Sequence, residues 1–216
     1  MGLPPATDAG IEDLIKVVNN FGDAEPRPSG LRARFLVEFL ADTGDDPTAR
    51  AILGVVLLFM EASVPKYLQP WLGGGRLVGI GKNDAPLDVD ARPLVVGEVW
   101  RRIAGKLCLA GDREGLAGWL RPHQLAVGTP AGVEAIVHAL RQWWDRNKAA
   151  GNTKAVLVKE DYSNAFNTAE PEAFLASGRR KMPGSARLAN WCWDSNKPKF
   201  IMVRHTNLTG GSRAVH

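Results

Sequence analysis

Apolar residues recur at helical spacing through the first third of the chain. Ile11, Leu14, Ile15 and Val18 predict a helix over residues 9–24, and Glu25-Pro-Arg-Pro-Ser-Gly30 ends it. Leu31 to Leu40 resumes the same period until Thr43-Gly-Asp-Asp-Pro47 interrupts it. Asp46-Pro-Thr48 then starts a helix running from Ala49 to Ala62. That helix is apolar on nearly all sides, which predicts a central place in the core.

The period shifts after a junction at 65–75, which closes on Gly73-Gly-Gly75. Those glycines read as a linker, because no Lys-Ser/Thr follows to make a phosphate loop. Leu77-Val-Gly-Ile80 and Arg92-Pro-Leu-Val-Val96 flank a stretch of turn formers, Asn83 to Asp90, and predict a β-hairpin over 77–96. Short helices are expected at Val99–Ala110 and Gly115–Leu120. A longer one should run from Pro130 to Asn147, capped by Gly128 or Thr129. It places Val133, Ile136, Val137 and Leu140 on one face, with Trp143-Trp144 near its end. The apolar, β-branched run Lys154-Ala-Val-Leu-Val-Lys159 predicts a strand at 155–160, with Asp161 at its exposed end. A helix at about 170–180 and one or two strands within 189–208 complete an α+β fold class.

Composition sharpens this picture in three respects. At 216 residues, 45% hydrophobic and 23% charged, the chain can bury a sizeable core, which argues against disorder throughout. The longest apolar run, Ala51 to Met60, is too short to span a bilayer, and no basic stretch followed by an apolar one opens the chain. An intracellular protein without a membrane partner is the expectation. The charge is uneven: residues 1–70 are net acidic, whereas residues 171–216 hold eight Lys or Arg against two Asp or Glu. Such a basic end suits a polyanion, although a solvated face can carry the same charge. Trp191-Cys192-Trp193 lies beside it and is expected to be core, with base stacking as the alternative. Cys108, Cys192 and the four histidines show no metal-ligand spacing.

The candidate chemistry centres on Asp161, followed by Tyr162-Ser-Asn-Ala-Phe166-Asn167. This segment resembles the first catalytic motif of reverse transcriptases, in the Asp-Phe-Ser-Asn-Ala-Phe-Asn form of non-LTR retrotransposon enzymes. Two further segments occur in that family's order. The predicted hairpin, with Lys82 before its loop and Arg92 opening its return strand, resembles the fingers hairpin. Gln124-Leu-Ala-Val-Gly128 is similar to the family's Gln-x-Gly segment, with Ala126 in place of that glycine. The resemblance covers about residues 65–210, as fingers and a partial palm. Residues 1–64 form a separate helical region and 211–216 a short tail.

The resemblance implies an RNA-directed DNA polymerase acting on an RNA template, a DNA primer and a deoxynucleoside triphosphate. Two Mg ions would stabilise the attacking and leaving oxygens of nucleotidyl transfer. Asp161 would be the catalytic carboxylate and ligate both, while the Tyr162 carbonyl would ligate one. Phe166 would lie under the sugar and exclude a 2′-hydroxyl. Lys82 and Arg92 would neutralise the triphosphate, and Gln124 would lie where the template approaches. Glu160 and Ala169-Glu-Pro171 depart from the family pattern. Gly210-Gly-Ser-Arg-Ala-Val-His216 resembles the lead-in to a Gln-Gly-Asp-Pro motif, but no Asp-Asp pair follows Asp161. The expectation is a polymerase fragment inactive as an isolated chain. The alternatives are a repurposed nucleic-acid-binding module without catalysis and a remnant without function.

Overall fold

The computed structural model describes residues 3, 5–6, 8–21, 29–40, 47–81, 91–162, 168–193, 201–206 and 212–214. Its elements in chain order are α1 (Ile11–Asn19), α2 (Ala33–Leu40), α3 (Pro47–Met60), α4 (Gln69–Leu72), β1 (Gly75–Gly81) and β2 (Ala91–Gly97). They continue with α5 (Val99–Leu120), α6 (Gly132–Ala149), α7 (Pro171–Lys181), a 3-10 turn (Pro183–Ser185), α8 (Ala186–Trp193), β3 (Ile201–Thr206) and β4 (Ser212–Ala214). The mixed, helix-rich arrangement fits the α+β class.

The core is built by one face of each of five helices. Leu14 and Val18 of α1 meet Leu36 and Leu40 of α2, and Ile52, Val56, Phe59 and Met60 of α3. Val99, Ile103, Ala104, Leu107 and Cys108 of α5 close the cluster, with Leu188 and Trp191 of α8. Trp191 meets Phe59 edge-on, ring centroids 5.7 Å apart, the geometry that aromatic quadrupoles favour. The core thus joins residues before 64 to residues after 98. Helix α3 is apolar around its circumference, yet Val55 and Leu58 on its outer side remain exposed.

The long helix α5 departs from expectation. Gly111 and Gly115 suggest a break, but the helix runs unbroken for 22 residues. Each glycine costs about 1 kcal/mol against alanine in a helix, less than the tertiary contacts on either side return. Those contacts include two buried carboxylates. Glu98, at the N-cap, accepts hydrogen bonds from Ser29 N (2.9 Å) and Ser29 Oγ (2.8 Å). Asp112 accepts from Gly184 N (3.1 Å), Ser185 N (2.9 Å) and Ser185 Oγ (2.6 Å). A third tie joins Arg187 of α8 to Glu61, which also accepts from Ala6 N at 3.1 Å.

The sheet has the order β2-β1-β3-β4. Strands β1 and β2 form the expected hairpin, antiparallel from Gly75↔Gly97 to Gly81↔Ala91, with Ile80 opposite Arg92. Strand β3 adds to β1 in parallel, and β4 to β3 antiparallel. Among the described residues of 189–208, 201–206 is the expected strand, and α8 occupies the start of that region. Gly73-Gly-Gly75 is no linker: all three glycines are buried, and Gly75 opens β1. A Cβ on Gly75 would lie 2.8 Å from the Val96 carbonyl oxygen of the facing strand. The Gly73 carbonyl accepts from Arg101 of α5.

A further correction concerns the segment before Asp161. Residues 155–160 join no ladder and form no helix; Val156 and Val158 are 75% and 74% exposed. Intrinsic β-propensity needs a neighbouring strand to become a strand, and none of the described strands lies against this run.

Asp112→Ala should leave three buried donors without a partner and cost roughly 2–4 kcal/mol of stability, read as a lowered urea midpoint at unchanged slope. Asp112→Asn, which keeps one acceptor oxygen, should cost less than half as much.

Candidate active site

The loop from α5 to α6 falls within residues 65–210, the region of the resemblance. It is held from within: Arg121 donates from Nε to Thr129 Oγ1 (3.1 Å) and from Nη2 to the Gly128 carbonyl (3.4 Å). Gly128 has φ +69° and lies so near Ala117 that a Cβ would approach that methyl to 2.9 Å. A Cβ on Gly132 would overlap the Leu125 carbonyl oxygen. Both glycines therefore permit close approach, but to the chain itself. Neither Gly128 nor Thr129 caps α6; the N-cap is Ala131, in the left-handed region at φ 51°.

Gln124 is exposed on this loop, where its carboxamide oxygen accepts from Ala126 N at 2.6 Å. That bond fixes a tight turn and uses the oxygen locally. Arg92 has its backbone in β2, next to Ala91 at the strand's first position. Lys82 and Phe166 lie outside the described residues.

Asp161 is exposed, not at a strand end as expected, but in an irregular segment. Tyr162 is 74% exposed, and its hydroxyl donates to Glu160 Oε2 at 3.0 Å. Glu160 is likewise exposed to solvent. Mg prefers six hard oxygen ligands in near-octahedral geometry, and a metal pair needs carboxylates that bridge. Among the described residues, no group of three His, Cys, Asp or Glu side chains comes together. Asp161 and one neighbouring carbonyl fall short of that ligand set. The described residues do not by themselves fit a two-metal centre.

One feature had no signal in the sequence. Trp119, half-exposed near the end of α5, has Lys181 Nζ 5.1 Å from its ring centroid. Lys181 ends α7, whose last turn is Arg179-Arg180-Lys181. Arg179 donates to Asn190 Oδ1 at 2.6 Å, and Arg180 is exposed. Trp119 and Lys181 lie 62 positions apart, so only the packing of α7 on α5 brings the ring to the basic turn. Of the tryptophans at 191 and 193, the first is core, and the second is half-exposed against Phe174 (5.2 Å).

Comparison with family models, with characterised proteins and with solved structures finds no match to this chain. Among the described residues, no helix is long and apolar enough to cross a membrane.

Cys108 can be set aside as a nucleophile. Burial, and then the nearby Asp112 carboxylate, push its thiol up to about 12. Because the folded-state value lies above the unfolded one, the associated stability is fully present below the ordinary thiol range and is lost as pH rises toward about 12. At mildly alkaline pH, Cys108 should resist a thiol-labelling reagent in the native chain and react in denaturant. Mass spectrometry of the labelled peptides checks this.

Proposed function

We propose that this chain supplies the fingers and the first part of the palm of an RNA-directed DNA polymerase of the non-LTR retrotransposon type. It is inactive until a second carboxylate motif joins Asp161. The observation that carries this reading is the run from Ala155 to Tyr162. It has the composition of a buried strand and leads into Asp161-Tyr-Ser-Asn-Ala-Phe166, yet its Val156, Leu157 and Val158 side chains are in solvent. A strand whose sheet partners are supplied elsewhere has this appearance, because a lone apolar strand cannot satisfy its backbone or bury its side chains. The hairpin, with Arg92 near the start of β2, and the α5–α6 loop precede it in the order the family uses. Within this reading, Asp161 and the Tyr162 carbonyl are candidate Mg ligands, Lys82 and Arg92 the triphosphate contacts, Phe166 the sugar contact and Gln124 the template-side residue.

The isolated chain should extend no primer on an RNA template. A fusion to a palm segment carrying Gln-Gly-Asp-Pro and Asp-Asp should extend one with deoxynucleotides and Mg, and Asp161→Ala should reduce that extension by at least about a thousandfold. Extension by the isolated chain, or by the fusion despite Asp161→Ala, would refute the assignment.

The Trp119–Lys181 pair favours a second reading, a nucleic-acid-binding module without catalysis. An exposed ring beside Arg180 and Lys181 offers one stacking surface and several phosphate contacts. Binding of single-stranded RNA should then be weak and nearly sequence-independent, with a log–log salt slope of about −0.7 per phosphate neutralised. Replacing Arg179, Arg180 and Lys181 together by alanine should flatten the slope. A slope near zero in the unaltered chain would dismiss this reading.

A further inference from the structure

Two cations rest on the single ring of Phe21. The Arg102 guanidinium carbon lies 4.6 Å from its centroid and the Lys106 ammonium 4.2 Å. The ring itself is buried in the core where α1 ends against α5. Arg102 and Lys106 stand four positions apart on α5, and like charges so spaced repel. The ring's quadrupole offsets part of that repulsion, but it supplies no oxygen to the five guanidinium donors. Among the described residues no oxygen accepts from Arg102, and no carboxylate pairs with Lys106, which reaches only the Asn20 carbonyl at 3.5 Å. A half-buried guanidinium left in this state is costly, and burial pulls its pKa below the ordinary arginine value. The other arginines of α5 carry no such deficit: Arg101 donates to the Gly73 carbonyl, and Arg113 is in solvent.

We propose that Arg102 and Lys106, backed by Phe21, form a binding site for the dianionic phosphate of a phosphomonoester. The charge count selects the ligand. A guanidinium grips two oxygens side by side, and an ammonium adds a point charge. A carboxylate or a phosphodiester brings one negative charge, enough for one of the two cations. A phosphomonoester brings about −1.5 to −2 at neutral pH, with three terminal oxygens, and can face both. Phe21 fixes where the cations wait, so less side-chain freedom is lost when the anion arrives. The site lies about 25 Å along α5 from Trp119 and is separate from the basic turn of α7. Free phosphate and the terminal phosphate of a nucleic-acid strand share this chemistry. The inference does not depend on the polymerase reading.

Calorimetric titration of the full chain with inorganic phosphate should show one site with a midpoint of about 1 mM. Arg102→Gln and Lys106→Gln should each weaken it about tenfold or more, and Arg113→Gln should leave it unchanged. Phosphate at about 20 mM should raise the urea midpoint of the unaltered chain above that in chloride of equal ionic strength. That rise should survive in Arg113→Gln and be lost in both other variants. Lys106 is exposed, so its variant keeps the test valid should Arg102→Gln disturb folding. An equal rise in all variants would be the general exclusion effect of phosphate and would overturn the site. Two RNA oligonucleotides, one with a 5′-phosphate and one with a 5′-hydroxyl, separate the sources. Tighter binding of the first, dependent on Arg102, would place the anion at a strand end. Equal binding of the two, with free phosphate still bound through Arg102, would make a small phosphomonoester the ligand. Binding of both through Arg102 without any of free phosphate would overturn the monoester assignment. No binding at about 20 mM phosphate, or a midpoint unaltered in both glutamine variants, would overturn the proposal outright.

Discussion

Two buried carboxylates on one helix hold this molecule together. Glu98 and Asp112 sit at the start and the middle of α5, and each accepts from a serine twice, once from its backbone N–H and once from its hydroxyl. A carboxylate taken out of water is costly unless its lone pairs are met, and here they are met by groups that also needed partners. Ser29 belongs to the entry of α2 and Ser185 to the entry of α8. The pair therefore locks one segment far upstream and another far downstream to the same rigid rod. The hydrophobic faces of α1, α3 and α8 can then close on α5 in one register rather than several.

Because α5 follows directly on β2, the same rod also fixes the hairpin. Arg101 in its first turn reaches back to the Gly73 carbonyl, so the helix grips both the strand before it and the approach to β1. At its other end Ala117 receives Gly128, and Trp119 receives Lys181. Hairpin, loop and basic turn are thus three attachments along one helix. Among the described residues Asp161 has no comparable anchor: its segment follows α6, most of which is exposed. Among the described residues, the hairpin and the loop have rigid neighbours and the Asp161 segment does not. That contrast separates the well-packed part of the chain from the part that presents surfaces.

Much of the helical fold was legible in the sequence. The amphipathic periods of α1 and α2, the apolar run of α3, the hairpin of β1 and β2, and the helix α7 can be read from spacing and turn chemistry, because these depend on residues a few positions apart. The resemblance around Asp161 was equally legible, as a string of residue types. What the sequence could not determine is whether a run capable of two conformations finds the neighbour that selects one. Val156-Leu-Val158 reads as a strand and lies exposed, because a strand is a property of a pair. Gly111 and Gly115 read as a break and sit inside α5, because Asp112 and the core repay their helical cost. Gly73 to Gly75 read as a linker and are buried, the Gly73 carbonyl accepting from Arg101. The meeting of Trp119 with Lys181, and of each buried carboxylate with its serine, was decided by tertiary structure alone, since each contact joins segments whose separation along the chain carries no periodic signal.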